Sequence, residues 1–259
     1  MSRLKIALTH IGGPSVLLEL AGFRLLTDPT FDPPGSYDLG RVTLEKTRGP
    51  ALAADAIGSI DAVLLSHDQH ADNLDRTGRA FLAHVPSVFT TPAAAARLKG
   101  TARGLAPWET ANLDGRDGSR LLITATPARH GPHGIEPIAG DVTGFALGVQ
   151  RPGDAVYITG DTVWYEGVAE VARRFSPRLV ILFTGAAKTR GTFHLTMNSN
   201  DAIEAAHAFP HARIIAVHNE GWRHFTEGPE ELAHAFATLG LADRLERVEP
   251  GRRTEFDLG

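Results

Sequence analysis

The sequence predicts a mixed α/β fold whose sheets contain antiparallel as well as parallel strands. Short apolar runs alternate with segments of helical periodicity, which is typical of α/β proteins. Some of these runs follow one another closely, at 15–27 and 142–159, and such short turns join antiparallel neighbours. The chain has 259 residues, of which 42% are hydrophobic and 22% charged, so it can bury a sizeable core.

The first predicted elements are three strands at 4–9, 15–20 and 23–27, separated by turns that contain glycine. The segment 28–60 is rich in Pro and Gly and predicts a long, ordered loop with at most one short helix. Apolar runs predict further strands at 62–66, 87–90, 121–126, 142–149, 154–159, 179–184 and 213–217. Helical periodicity predicts helices at 92–98, 166–174, 198–208 and 229–239, the third with Asn198 or Ser199 as its N-cap.

Composition excludes several classes of protein. The net charge of -4 gives no basic footprint for nucleic acid, and no apolar stretch approaches the roughly 18 residues that span a membrane. The first residues lead directly into a predicted strand with no signal-peptide pattern, so we expect a cytoplasmic protein. We expect a single domain over 1–259. Because the chain has no cysteine, any metal must be held by nitrogen and oxygen.

The segment 66–73, Ser-His-Asp-Gln-His-Ala-Asp-Asn, directly follows the apolar run 62–65. Its polar side chains therefore lie where a buried strand leaves the core. Imidazole and carboxylate are the natural ligands of zinc and its first-row neighbours. This segment indicates a metal site, and the competing interpretation is a solvated loop.

Three further residues that can bind metal follow apolar runs: His130, Asp161 and His218. Each has an ordinary explanation, because a lone histidine is more often a surface residue and Gly160-Asp161 can be simple turn chemistry. It is much less plausible that the 66–73 segment and these three residues all follow apolar runs by chance. In α/β sheets, sites gather outside the carboxyl ends of strands, where these side chains would converge.

The order of these motifs resembles that of the metallo-β-lactamase superfamily of metal-dependent hydrolases. The likeness rests on the His-rich loop, Ala128-Arg129-His130-Gly131, Thr159-Gly160-Asp161-Thr162 and Val217-His218. It is strongest to the branch that includes ascorbate-phosphate lactonases and N-acylphosphatidylethanolamine-type phospholipases. The resemblance covers about residues 4–250 and implies a four-layer αββα sandwich. It also implies two divalent metal ions, zinc or manganese, at one edge between the sheets.

The His-rich loop departs from the family pattern His-x-His-x-Asp-His. One extra residue separates His67 from His70, so either His67 or Asp68 fills the first position, and we favour His67. Asn73 stands where the family has a histidine, and its amide oxygen is a weaker ligand. The resemblance implies that one ion takes His67 or Asp68, His70 and His130. The other takes Asp72, His218 and Asn73 as a weak ligand, with Asp161 bridging the two.

The resemblance also implies the reaction. A metal ion with an open position lowers the pKa of its bound water to about 7, and the resulting hydroxide would attack an ester, lactone or phosphodiester. Asp72 would orient the water and accept its proton, as a general base. The substrate would be a small molecule. Lys188 and Arg190 either contact an anionic group of this substrate or lie in a solvated loop. Trp164 and Trp222, with the rest of 222–225, are either pocket walls or core residues.

Two other functions remain open from the sequence. A weakened second metal position, caused by Asn73, would suit a non-catalytic metal-binding or sensing protein on the same fold. A di-iron redox protein is a third alternative, but it usually needs a carboxylate-richer loop and a fused flavin domain, and the sequence shows neither.

Overall fold

The computed structural model describes residues 3–38, 40, 42–189 and 191–259. The strands in this part of the chain are β1 (Leu4–Gly12), β2 (Ser15–Leu20), β3 (Phe23–Thr27), β4 (Gly35–Asp38), β5 (Thr43–Lys46), β6 (Ala62–Leu64), β7 (Val88–Thr90), β8 (Ala102–Gly104), β9 (Thr110–Asp114), β10 (Arg120–Pro127), β11 (Thr143–Gly148), β12 (Val156–Ile158), β13 (Leu179–Phe183), β14 (Arg213–Val217), β15 (Leu245–Glu246) and β16 (Arg253–Leu258). The α-helices are α1 (Arg76–Phe81), α2 (Pro92–Leu98), α3 (Glu136–Ala139), α4 (Glu166–Arg174), α5 (Ser199–Ala208) and α6 (Pro229–Thr238).

The strands form two large sheets, each part antiparallel and part parallel. One has the order β16-β1-β2-β3-β6-β7-β8, and the other has the order β15-β14-β13-β12-β11-β10-β9. In the first, β3 pairs antiparallel with β2 and parallel with β6. In the second, β12 pairs antiparallel with β11 and parallel with β13. The prediction of a mixed α/β fold is therefore confirmed.

The two sheets pack face to face around an apolar core, with helices on their outer faces. Leu18 and Leu25 of the first sheet share this core with Ile123 and Phe145 of the second. On the outer face of the second sheet, helices α4, α5 and α6 cover apolar side chains such as Val180. Helices α1 and α2 lie along the first sheet. The order of layers is therefore helix, sheet, sheet, helix, which confirms the predicted four-layer αββα sandwich. The central strands are continuous apolar runs in the sequence because both of their faces are buried.

The longest helices, α5 and α6, contain 10 residues each. Across the described ranges, no helix has both the length and the apolar character needed to cross a membrane.

The segment 28–60 differs from the predicted loop with one short helix. Its described residues contain a two-stranded hairpin, β4–β5, and no α-helix. Tyr37 and Leu44 of the hairpin pack against Trp222 in a small apolar cluster. At the base of the hairpin, Lys46 forms a buried ion pair of 3.0 Å with Asp75, which also caps helix α1. The hairpin is therefore anchored beside the loop that carries the His-rich motif.

Candidate metal centre

Four strand ends place the predicted ligands at one edge of the sandwich. The His-rich loop follows β6, His130 follows β10, Asp161 follows β12 and His218 follows β14. Strands β10 and β12 both pair antiparallel with β11, so their carboxyl ends meet at the same edge. Gly160, which precedes Asp161, has φ +61° and a Cβ there would lie 2.4 Å from the Thr143 carbonyl oxygen. Only glycine fits this turn.

Three imidazoles form the first of two clusters of potential ligands. The ligand atoms of His67, His70 and His130 all lie within 4.8 Å of one another. The Nε2 atom of His67 is 2.9 Å from Nδ1 of His70, and the His67 ring centroid is 4.8 Å from that of His130. Neither ring nitrogen of His130 has a hydrogen-bond partner among the described residues, although both are buried. Buried polar atoms are almost always paired, so this cluster fits a bound cation.

Two imidazoles of this cluster, His67 and His130, are neutral at pH 7, as metal ligands must be. Burial, followed by the nearby His70, lowers the pKa of His130 to about 4. Burial together with the charges of His70 and His130 also holds the pKa of His67 well below its ordinary value. A proton on either ring would be unfavourable, whereas a divalent ion satisfies the same lone pairs.

A chain of buried hydrogen bonds orients His67. The Ser66 hydroxyl donates to Asp28 Oδ1 over 2.6 Å, and the Ser66 backbone N–H donates to the same oxygen over 2.9 Å. Because the hydroxyl hydrogen is used in this way, its oxygen accepts from His67 Nδ1, 2.9 Å away. The ring proton of His67 is therefore on Nδ1, which leaves the Nε2 lone pair facing the other imidazoles.

We predict that Ser66→Ala weakens binding of the first metal ion by about 10–100-fold, the usual cost of losing a group that orients a ligand. Competition with a chelating dye would measure the affinity. Ser119→Ala is the matched control, because the Ser119 hydroxyl bonds only to Asp117 in an exposed turn. Equal affinities for the two variants would show that the hydrogen bond to His67 does not orient it for metal binding.

Asp72, Asp161 and His218 form the second cluster, whose ligand atoms also lie within 4.8 Å of one another. The His218 Nε2 atom is 3.3 Å from Asp161 Oδ1 and 3.6 Å from Asp72 Oδ2. Burial lowers the pKa of His218, but the negative charges of Asp161 and Asp72 outweigh it and raise that pKa. Burial raises the pKa of Asp161, and the charge of His218 outweighs it and holds that pKa below its ordinary value. The pKa of Asp72 is also below its ordinary value, so both carboxylates are ionised at neutral pH.

Two residues of the His-rich loop lie outside these clusters. The Asp68 carboxylate faces Arg97, whose Nε is 3.1 Å from each carboxylate oxygen, and Arg79 Nη2 lies 3.9 Å away. The Asn73 side chain is fully buried, and its Nδ2 donates to Asp161 Oδ1 over 3.1 Å. Its Oδ1 atom has no hydrogen-bond partner in the described ranges, so it remains a candidate ligand atom.

Sequence reasoning named His224 only as part of a candidate pocket wall, whereas the structure places it beside the second cluster. Its Nε2 lies 3.0 Å from Asp72 Oδ2. Burial raises the pKa of Asp72, but the hydrogen bond and charge of His224 outweigh it and hold that pKa below its ordinary value. A histidine six positions after His218 was the available signal, but the contact depends on how the loop folds back.

A narrow cavity opens over both clusters. It has room for about 40 Å³, where one water takes roughly 10–15 Å³ on the same measure. Its apolar wall comes from five side chains: Val42, Leu44, Ala139, Ala187 and Leu195. Its described lining contains neither lysine nor arginine. The cavity therefore suits a small group beside the metal positions.

The predicted substrate-binding residues have different positions around this cavity. Trp222 is buried behind Leu44, with its ring centroid 5.3 Å from that of Tyr37. Lys188 is exposed between two lining residues, and its backbone N–H donates to the His224 carbonyl. Trp164 packs against the helix layer of the second sheet. The prediction for Arg190 falls outside the described residues.

These observations fit a divalent metal centre. The donor set combines imidazoles with ionised carboxylates, which suits zinc and its first-row neighbours. Among the described residues, the buried nitrogens of His130 and His218 have no hydrogen-bond partner, and His218 Nε2 faces the two carboxylates. These are atoms that a cation would satisfy. The His/Asp clusters and the fold together indicate divalent metal binding.

Comparison with known proteins identifies the family. The model described as "Beta-lactamase superfamily domain" matches residues 23–219. The chain therefore belongs to the β-lactamase superfamily, and its fold is the metallo-β-lactamase fold.

Individual relatives match over almost the full chain. The UPF0173 protein YddR of Bacillus subtilis (strain 168) is 26% identical, over 96% of this chain and 99% of its own length. The crystal structure of an isothiocyanate hydrolase from Delia radicum gut bacteria has a TM-score of 0.81 at 25% identity, covering 97% of this chain and 99% of that one. A possible metal-dependent hydrolase from Veillonella parvula DSM 2008 has a TM-score of 0.80 at 21% identity, covering 96% and 98%. These similarities support a metal-dependent hydrolase in general.

Proposed function

We propose that this protein is a hydrolase that uses two divalent ions, zinc in the first instance, to cleave a small ester, lactone or phosphodiester. The observation that supports it most is the pair of adjacent, buried ligand clusters, in which several nitrogens have no hydrogen-bond partner among the described residues. His67, His70 and His130 would hold the first ion. Asp72 and His218 would hold the second, and Asp161 would bridge them.

When bound, the ions supply a Lewis acid and lower the pKa of a coordinated water to about 7. The residues of the chain then determine how the reaction proceeds. Asp72, ionised at neutral pH because its pKa is lowered, orients the attacking water and takes its proton. The apolar side chains of Leu44 and Leu195 exclude bulk water from the reacting group.

The cavity also bears on the substrate. Its described lining holds no lysine or arginine, so an anionic group of the substrate would be held by the ions or, at the mouth of the cavity, by Lys188. The similarity to an isothiocyanate hydrolase favours a second candidate substrate, an uncharged isothiocyanate with its electrophilic carbon. Both candidates require the same metal centre and the same orienting carboxylate.

The test combines metal analysis with turnover. Purified protein loaded with zinc, and separately with manganese, would be assayed on 4-nitrophenyl acetate, a γ-lactone, bis(4-nitrophenyl) phosphate and benzyl isothiocyanate. We expect two ions per chain and metal-dependent turnover of at least one of these substrates, abolished by a chelator and restored by metal. Tight binding of metal without turnover of any of them would overturn the proposal and favour a metal-binding or sensing protein. Iron with a visible absorption band would favour a di-iron redox protein.

A further inference from the structure

The two metal positions differ in the imidazoles they can offer. The first cluster has three, His67, His70 and His130, whereas the second has only His218. The difference arises at residue 73, where this chain has an asparagine. The Asn73 amide nitrogen is engaged by Asp161 Oδ1, and an amide oxygen is a weak, neutral ligand. The second position therefore lacks one strong nitrogen donor.

An imidazole lies beside Asp72, one of the candidate ligands of this position. The Nε2 atom of His224 is 3.0 Å from Asp72 Oδ2. The ligand atoms of a tetrahedral zinc site, each about 2.0–2.2 Å from the ion, are separated by roughly 3.3–3.6 Å. The measured separations of His218 from the two carboxylates, 3.3 and 3.6 Å, lie close to this value, and that of His224 from Asp72 is a few tenths shorter.

The loop that carries His224 is fixed by contacts on both sides. The His224 carbonyl accepts from the Lys188 backbone N–H over 3.0 Å, and the Arg223 backbone N–H donates to the Glu45 carbonyl over 3.0 Å. The His224 ring packs against Phe225, with centroids 4.6 Å apart. The side chain is only 9% exposed, and its Nδ1 atom is buried without a hydrogen-bond partner in the described residues. It is therefore placed in the site rather than in solvent.

We propose that His224 is a ligand of the second metal position and supplies through Nε2 the imidazole that this chain lacks at residue 73. The inference rests on the proposed two-ion centre. The second ion would then be held by four side chains, Asp72, Asp161, His218 and His224. The His224 ring would have to close on the ion, because its ligand atoms lie outside the 4.8 Å group that the other three residues form. Two carboxylates and two imidazoles form a donor set that suits zinc.

The competing role for His224 is only to orient Asp72 by donating a hydrogen bond. Glutamine distinguishes the two roles, because its side-chain amide keeps an N–H donor but has no imidazole. Losing an orienting hydrogen bond costs about 10–100-fold in metal affinity, whereas losing a ligand should cost more. An independent test is to return an imidazole to residue 73.

The experiment compares four proteins: wild type, His224→Gln, His224→Gln with Asn73→His, and His207→Gln as the control on the exposed face of helix α5. Zinc per chain would be measured by mass spectrometry after dialysis, and affinity by titration. We expect His224→Gln to retain one ion and to bind the second more than about 100-fold more weakly. Adding Asn73→His should restore two ions, and the control should match wild type. Thermal melts would show that each variant is folded.

Several results would overturn this assignment. A His224→Gln protein that binds the second ion within about 100-fold of wild type would show that the hydrogen bond to Asp72 is what matters. A double variant that stays at one ion would show that the missing imidazole is not the cause. Wild-type protein that takes up only one ion would defeat the proposed two-ion centre itself, before any variant is compared.

Discussion

Replacing Asp161 with alanine should remove both metal ions and abolish hydrolysis. The Asp161 carboxylate is buried in the second cluster. It lies 3.3 Å from His218 Nε2 in the second, and its charge also acts on His67 and His130 in the first. Without it, the site would lose the negative charge that, in the proposed two-ion centre, both ions share. We expect the rate to fall by roughly 1,000-fold or more, since activation of water depends on the bound metal.

Metal content by mass spectrometry and the rate of hydrolysis would be measured on the same preparation of Asp161→Ala. His70→Ala should have the same effect on hydrolysis, because it would remove a proposed ligand of the first position. Asp257→Ala is the matched control, since its carboxylate pairs with Arg3 on the exposed surface of β16. Undiminished turnover by a variant that has lost its metal would disprove the metal mechanism.

The sequence predicted the central strands well because their burial is continuous. Strand β13, for example, is buried at every residue, and its apolar run 179–183 is visible without any structure. The hairpin β4–β5 was not predicted, because each strand has only four residues and its apolar side chains pack on Trp222, far away in the chain. Helix α1 was also missed. It contains Gly78, which the helix needs because a Cβ there would lie 1.8 Å from the Pro29 carbonyl oxygen.

In the candidate site, the residues that follow strands were identified from the sequence, whereas the contacts that depend on loop packing were not. His130, Asp161 and His218 each follow a strand, so the ends of the sheet bring them together. Two features depend on packing that no local pattern records. The contact of His224 with Asp72 requires the loop after β14 to fold back over the site. The choice between His67 and Asp68 depends on which side chain faces inward when the chain leaves β6.

A matched pair of variants separates His67 from Asp68, and we expect opposite results from them. His67→Asn removes an imidazole whose Nε2 lies 2.9 Å from the His70 ring, so the first ion should bind more than about 100-fold more weakly. Asp68→Asn should keep that ion, because its carboxylate faces Arg97 and Arg79. The arginines are about half exposed but the Asp68 side chain is only 4% exposed, so losing these charged hydrogen bonds should cost about 1–3 kcal/mol of stability.

Zinc titration and urea unfolding of the two variants would measure both quantities. The asparagine side chain is the same in each, so a difference in metal affinity reports the position and not the substituent. If Asp68→Asn lost the first ion while His67→Asn kept it, the carboxylate would be the ligand and the Ser66 hydrogen bond would serve only the fold. If His67→Asn alone loses it, the extra residue in the loop has a defined use. The extra residue would let the His67 imidazole reach the metal while the Asp68 side chain turns away from the cluster to bind Arg97.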